Sequence, residues 1–307
     1  MSPQSLLIDT DPGQDIDDLL AVLFALQRDE IAVRAITTVT YPSAARARLV
    51  KRLLRWLNLG HIPVAAGLEY PTRSMSPAET ARLEDPAVSI NHACFAEPWD
   101  PRDEVEDHDA AGLIIRMAEA HPGELMIASL APLTNIASAL QRRPGIAKKI
   151  RSLALMGGET ALNRREHNMA FDPVAADIVL SSGIPIAMGT WDITRRFVLT
   201  AEDCDRFRQS ASPLHQALGR AIDAWHPVQN WKPGPVMYDL FPILWAFRRD
   251  LYQTETLPVR IETRGEFTAG MTIVHPSGPK IEVTTGIRQE EVRQLYLDTV
   301  FGAAPAA

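Results

Sequence analysis

Between residues 6 and 22 the chain reads LLIDTDPGQDIDDLLAV, with five aspartates in ten positions: Asp9, Asp11, Asp15, Asp17 and Asp18. One apolar run leads into the cluster and another leads out. A single aspartate at a helix start is ordinary, because it accepts hydrogen bonds from free N–H groups and suits the positive end of the helix dipole. Five are too many for that role, since carboxylates at close range repel and raise one another's pKa. A bound hard cation removes the conflict, and carboxylate and carbonyl oxygens select Ca2+ or Mg2+ over softer metals. Pro12-Gly13 marks a sharp turn inside the cluster.

The elements that must hold this cluster follow from the hydrophobic pattern. SLLID (5–9) reads as a buried strand and DDLLAVLFALQ (17–27) as a helix. Strands are then expected at 31–39, 62–68, 124–130, 151–157 and 185–191, and helices at 43–58, 108–120, 134–143 and 173–183. Ser43 is the expected N-cap of the first of these and Gly183 the expected end of the last. Alternating helices and nearly continuous apolar strands predict an α/β fold with a mostly parallel central sheet covered by helices on both faces. Residues 202–225 and 239–249 look helical, VRIETRG, MTIVHP and KIEVTTG form a small C-terminal antiparallel section, and RQEEVRQLYLDTVF closes the chain as a helix. Residues 69–107 carry several prolines and no clear period, and so read as a long loop, functional or mobile. With no repeat or linker, residues 1–307 are expected to form a single domain.

Composition narrows the function classes. The formal net charge of −7, from 31 basic and 38 acidic residues, argues against a nucleic-acid surface. Two cysteines without metal-type spacing imply no disulfide framework, and no segment reads as a signal peptide or a membrane span. A cytoplasmic protein acting on a small molecule is the expectation.

The aspartate segment resembles the signature of the inosine–uridine-preferring nucleoside hydrolase family, DxDPGxDD followed by a helix. The resemblance continues through AITTV (35–39), APLTNIA (131–137), LMGGE (155–159), EHNMAFDPVAADIVL (166–180), WDIT (191–194), GEFTAGMTIV (265–274) and the final helix. It implies a Rossmann-like domain with one Ca2+ at the pocket floor, and cleavage of the N-glycosidic bond of a ribonucleoside by water, giving ribose and free base. By motif position, Asp11, Asp18, Asp239 and the backbone carbonyl of Leu130 would hold the metal, with Asp11 also the general base. Asp17, Glu166 and Asn168 would bind ribose, and Asp9 would support the ligands from behind. Relatives are usually dimers or tetramers, so a homodimer or homotetramer is implied.

This chain departs from the family pattern in four places. DPGQDIDD is two residues longer than DPGxDD, which makes Asp15 a rival of Asp17 for the sugar. TTVTYP puts Pro42 where an Asn is expected, with Tyr41 a candidate pocket residue. The loop before EHN is short, leaving Asn163 as the candidate for a missing Asn. Tyr238 precedes Asp239 where well-known members have His, and could act as a weak acid, stack on the base or pack. His92 reads equally as a pocket histidine or a plain loop histidine, and Trp225, His226 and Trp231 equally as base contacts or as core.

Ordinary structural roles compete with several of these. Asp239 alone suits a helix start, Glu166 and Asn168 suit a loop, and Thr134 and Asn135 suit a helix cap. Asp172-Pro173 reads as an N-cap with Pro in the first helical position, and Gly157-Gly158 as a site of close backbone packing. Two other functions fit the aspartates less well. A haloacid-dehalogenase-like phosphatase shares a DxDG turn but not the later segment order, and a non-catalytic N-riboside-binding protein would keep the fold and cation without turnover.

Overall fold

The computed structural model describes residues 2–229 and 234–302. The first apolar run forms β1 (Gln4–Thr10), with six of its seven residues buried. Leu6 and Ile8 enter the core on one side of the sheet and Leu7 on the other, the period of two required of a strand covered on both faces. The chain continues through α1 (Asp17–Leu26), β2 (Ile31–Thr38), α2 (Ser43–Trp56), β3 (Val64–Ala66), α3 (Pro77–Leu83), α4 (Pro86–Ser89), α5 (Ala110–Ala120) and β4 (Met126–Ser129). It then forms α6 (Thr134–Arg142), β5 (Ser152–Met156), α7 (His167–Phe171), α8 (Pro173–Leu180), β6 (Ile186–Gly189) and α9 (Trp191–Thr194). The last part holds α10 (Ala201–Gln209), α11 (Pro213–Gln229), α12 (Leu240–Leu244), β7 (Tyr252–Ile261), β8 (Thr272–Val274), β9 (Lys280–Ile287) and α13 (Gln289–Phe301).

The nine strands among the described residues join one sheet in the order β3-β2-β1-β4-β5-β6-β9-β7-β8. β1 to β6 and β9 pair in parallel, while β7 runs antiparallel to both β9 and β8. One face packs against α1, α2, α11 and α13, and the other against α5, α6 and α8. This is the Rossmann-like α/β architecture expected from the alternation, with its antiparallel section at the C-terminal end. Strand order reverses around β1, which lies between β2 and β4. In such sheets ligands bind outside the carboxyl ends of the strands, at this reversal.

Some boundaries differ from expectation, each for a local reason. Ser43 is the first residue of α2 rather than its cap; Pro42 holds that position and the Ser43 hydroxyl donates to the Gly67 carbonyl. α8 ends at Leu180, three residues short of Gly183, which takes a positive φ of 81°. The expected helix at 202–225 is two helices, because Pro213 restarts the chain as the first residue of α11. The segment 69–107 is not structureless. It carries α3, capped by a reciprocal pair of bonds between Ser76 and Glu79, and α4, capped by Asp85. Among the described residues, no helix is long and apolar enough to cross a membrane.

Candidate active site

The strand ends enclose a cavity of about 810 Å3. Its wall takes Asp11 from beyond β1, Leu130 from beyond β4, Met156 from the end of β5 and Trp191 from beyond β6. Gln14, Asp15, Asp17 and Asp18 come from the turn and first residues after β1. Gly13, at φ +136°, makes that turn in a conformation that a side chain would strain. Asp239 comes from the residue before α12. Carboxylate oxygens of Asp17, Asp18 and Asp239 all lie within 4.8 Å of one another, and all three residues are buried.

Hydrogen bonds fix these groups. Asp18 Oδ1 accepts from the Thr10 hydroxyl at 2.6 Å and from the Asp11 N–H at 3.0 Å, which closes the turn. Asp17 Oδ2 accepts from the Asp239 N–H at 3.2 Å, drawing the distant Asp239 to the α1 terminus. Asp9 sits behind the cavity, fully buried, accepting from the Thr37 hydroxyl at 2.6 Å and the Asn135 amide at 2.9 Å. Burial pushes the Asp9 carboxyl up to about 7. Burial likewise raises Asp11, Asp17, Asp18 and Asp239, and neighbouring carboxylates add to it at Asp11, Asp17 and Asp239. Arg46, fully buried in α2, sets a positive charge beside Asp11 and Asp18. Its guanidinium donates to the carbonyls of Asp11, Pro12, Thr40 and Tyr41, so it holds the aspartate turn against the end of β2.

Residues 6–294 match the family model described as inosine-uridine preferring nucleoside hydrolase. The chain belongs to that family. It is similar to the pyrimidine-specific ribonucleoside hydrolase RihA of Escherichia coli O9:H4 (strain HS), 32% identical over 281 residues, which is 88% of each chain. The RihA of Citrobacter koseri is 31% identical over 281 residues, 88% of this chain and 87% of its own. Among solved structures, the purine-preferring ribonucleoside hydrolase from Gardnerella vaginalis superposes with a TM-score of 0.83 over 97% of this chain and 98% of that one, at 23% identity. The plant nucleoside hydrolase PpNRh1 gives 0.81 over 97% and 99%, at 24% identity. These last two likenesses show the fold.

The nucleoside hydrolase signature thus surrounds one cavity. Asp17 rather than Asp11 completes the close trio with Asp18 and Asp239, because its carboxylate receives the Asp239 N–H. Asp11 lines the same cavity beside them. The Leu130 carbonyl accepts from Asn168 Nδ2 at 2.9 Å, and the same amide donates to Met156 O at 3.1 Å. Glu166 caps α7: its carboxylate accepts the N–H groups of Gly158, Asn168 and Met169 at 3.0–3.1 Å while lining the cavity. Asp15 also lines it, and burial raises its carboxyl to about 7. Tyr238 lines the wall half-buried, and burial with Asp17 and Asp15 pushes its phenol up to about 12, so it stays protonated at neutral pH.

Other expected contacts are not made. His92 is fully buried away from the cavity, with Nδ1 3.2 Å from Asn91 Oδ1 and Nε2 unpartnered, because the 89–97 segment folds it inward. Asn163 is exposed on the loop before α7 and is not part of the wall. Trp225 is core: its ring is buried in α11 beneath Asp15, outside the wall. Trp231 lies outside the described residues. Tyr41 packs on Tyr70, with centroids 6.1 Å apart. Thr134 and Asn135 do not cap α6; Thr134 donates to Asp172 and Asn135 to Asp9.

Sequence reasoning passed over His167, Arg164, Trp191 and Arg195, which all line the cavity. The signal was adjacency: His167 lies between Glu166 and Asn168, and Trp191 opens the WDIT segment. Gly158 behaved as read, with φ +74° and space so tight that a Cβ would lie 2.8 Å from Met188 and Thr272.

Proposed function

We propose that this protein hydrolyses the N-glycosidic bond of a ribonucleoside, releasing ribose and free base, with Ca2+ as its cofactor. The observation that carries this is the convergence of Asp17, Asp18 and Asp239 on one point at the floor of a nucleoside-sized cavity. Buried carboxylates this close oppose one another's ionisation, and an all-oxygen donor set suits a hard cation. The residues present therefore fit the ion. Asp18, Asp239 and Asp17 would hold it, with Asp11 and the Leu130 carbonyl on the adjoining wall completing the set. When bound, Ca2+ supplies positive charge that compensates the carboxylates and orders the sugar hydroxyls.

The chain's own groups do the rest. Asp11 accepts a proton from the water that attacks the anomeric carbon. The carboxylates around it stabilise the positive charge of an oxocarbenium-like transition state. Asp15, Glu166 and Asn168 position the ribose from two sides, with Glu166 fixed by its three backbone bonds. His167 also lines the cavity, where burial holds its imidazole below the ordinary range, so it meets the departing base in its neutral form; Tyr238, held near 12, donates a hydrogen bond rather than its proton. The curated relatives are named pyrimidine-specific, and a structural neighbour purine-preferring. A homodimer or homotetramer belongs to the same proposal and is checked by light scattering.

The test is reducing-sugar release from a panel of purine and pyrimidine ribonucleosides, with and without a chelator. Chelator-sensitive release is expected, lost by about 10^2–10^4-fold in Asp11→Asn and reduced in His167→Gln. No release from any ribonucleoside by calcium-loaded protein overturns the reading.

A further inference from the structure

The cavity carries opposite charge in two regions. Its floor gathers Asp11, Asp15, Asp17, Asp18 and Asp239, while its wall carries Arg164 and Arg195. The guanidinium carbons of these arginines lie 3.8 Å and 4.3 Å from the ring centroid of Trp191, which lines the same wall. Tyr238 lines the same cavity, where its phenol feels both Asp17 and Asp15 and Arg195. Both arginines come from loops that flank the site: Arg164 from the one ending at the Glu166 cap, Arg195 from the end of α9.

Among the described residues, the pair has no counter-charge of its own on the wall of a cavity whose floor is acidic. Many arginines of the chain do have carboxylate partners, as Arg52 with Asp103 at 2.5 Å and Arg73 with Glu79 at 2.8 Å. Among the described residues, neither Arg164 nor Arg195 has an ion pair or a side-chain hydrogen bond, and each is held by the indole alone. Two like charges stacked on one ring repel each other, and a cation–π contact at an exposed site contributes only about 0.5–1 kcal/mol each. A planar guanidinium pairs best with a carboxylate or phosphate, through two parallel N–H···O bonds. A neutral nucleoside offers no such group. An anionic substrate approaching the aspartate floor also needs a compensating field, which two cations on the wall provide.

We propose that the substrate is an N-riboside carrying a carboxylate or phosphate group, and that Arg164 and Arg195 receive that group. This rests on the ribonucleoside reading above and narrows its substrate class. The anion stands either on the leaving base or on the ribose 5′ position.

The experiment compares kcat/KM of the calcium-loaded protein for three probes. Uridine is neutral, orotidine carries a carboxylate on its base, and uridine 5′-monophosphate carries a phosphate on its sugar. One anionic probe is expected to exceed uridine by about tenfold or more at low ionic strength, and by less as salt screens the contact. Which probe it is identifies the carrier of the charge. In the Arg164→Gln, Arg195→Gln double variant the anionic-to-neutral ratio falls about tenfold; the ratio cancels any loss of folded protein common to both substrates. The Arg164→Lys, Arg195→Lys variant retains part of it, as a point charge does. Uridine cleaved as well as both anions, or a ratio that survives loss of both arginines, overturns the proposal and leaves the ribonucleoside reading standing. If none of the three is cleaved, titration calorimetry decides separately: arginine-dependent binding of an anionic probe supports the charge recognition while hydrolysis fails, and equal binding of all three overturns it.

Discussion

At the residue scale, the aspartate floor was legible because its members are adjacent in sequence and too many to be helix caps. Asp239 is more than two hundred positions from Asp17, and only the family pattern brought it in. Arg46 was invisible for a different reason. Its four carbonyl acceptors lie on two separate turns, and no spacing along the chain encodes them. His92 could be read either way because a loop histidine looks alike in sequence whether it faces a cavity or is folded inward. Its burial has a consequence. Burial, with a further contribution from Arg46, holds its imidazole down to about 3, against an ordinary 6.5. Between those values the unfolded chain binds the proton and the folded chain does not, so stability present above about pH 6.5 is lost as pH falls toward about 3. The loss is about 1.4 kcal/mol per pH unit. Urea unfolding of the wild-type protein should therefore lose about 2–3 kcal/mol more than His92→Leu between about pH 6.5 and about pH 4.5. Equal losses would show that the imidazole is not buried in its neutral form.

At the element scale, the strands and long helices were readable because each buries an apolar stripe. Leu6, Leu7 and Ile8 show why the first strand needs no polar alternation: both of its faces are covered. The short helices at 77–83 and 86–89 were not readable, since α3 has no buried residue and both are held by side-chain caps. Where a cap coincides with a proline it could be read, as at Asp172-Pro173. The structure gives that carboxylate more partners than its own helix. Asp172 accepts from Ala175 N, from the N–H and hydroxyl of Thr72, and from the hydroxyl of Thr134. It thus pins the segment after β3 and the start of α6 to the start of α8. Asp172→Ala removes the cap and leaves these donors without their acceptor, and is expected to cost about 2–4 kcal/mol of unfolding free energy in urea. A cost within about 0.5 kcal/mol would mean that water replaces the carboxylate fully.

At the scale of the whole molecule, the fold concentrates buried negative charge where its strand order reverses, and the chain must tolerate that charge before any ligand arrives. Asp9 and Asp15 both have carboxyls raised to about 7, and burial is the main cause at each. An unfolded aspartate ionises near 3.9, so between there and about pH 7 the folded chain binds more protons than the unfolded one. Their contribution to the stability of the cation-free protein is then fully present below about pH 3.9 and is lost as pH rises from there through about 7. A cation held by Asp17, Asp18 and Asp239 reverses the trend, because it binds the ionised carboxylates of the folded chain and has no equivalent site in the unfolded one. Calcium at about one hundred times its Kd adds about 2.7 kcal/mol, enough to raise Tm by several degrees in a chain of this length. The difference in Tm between calcium and chelator should therefore widen from about pH 5.5 to about pH 8, and shrink sharply in Asp239→Asn. A difference that stays constant across that range would mean that the ion does not bind the raised carboxylates. No difference at any pH would remove calcium from the proposed site, whatever the activity.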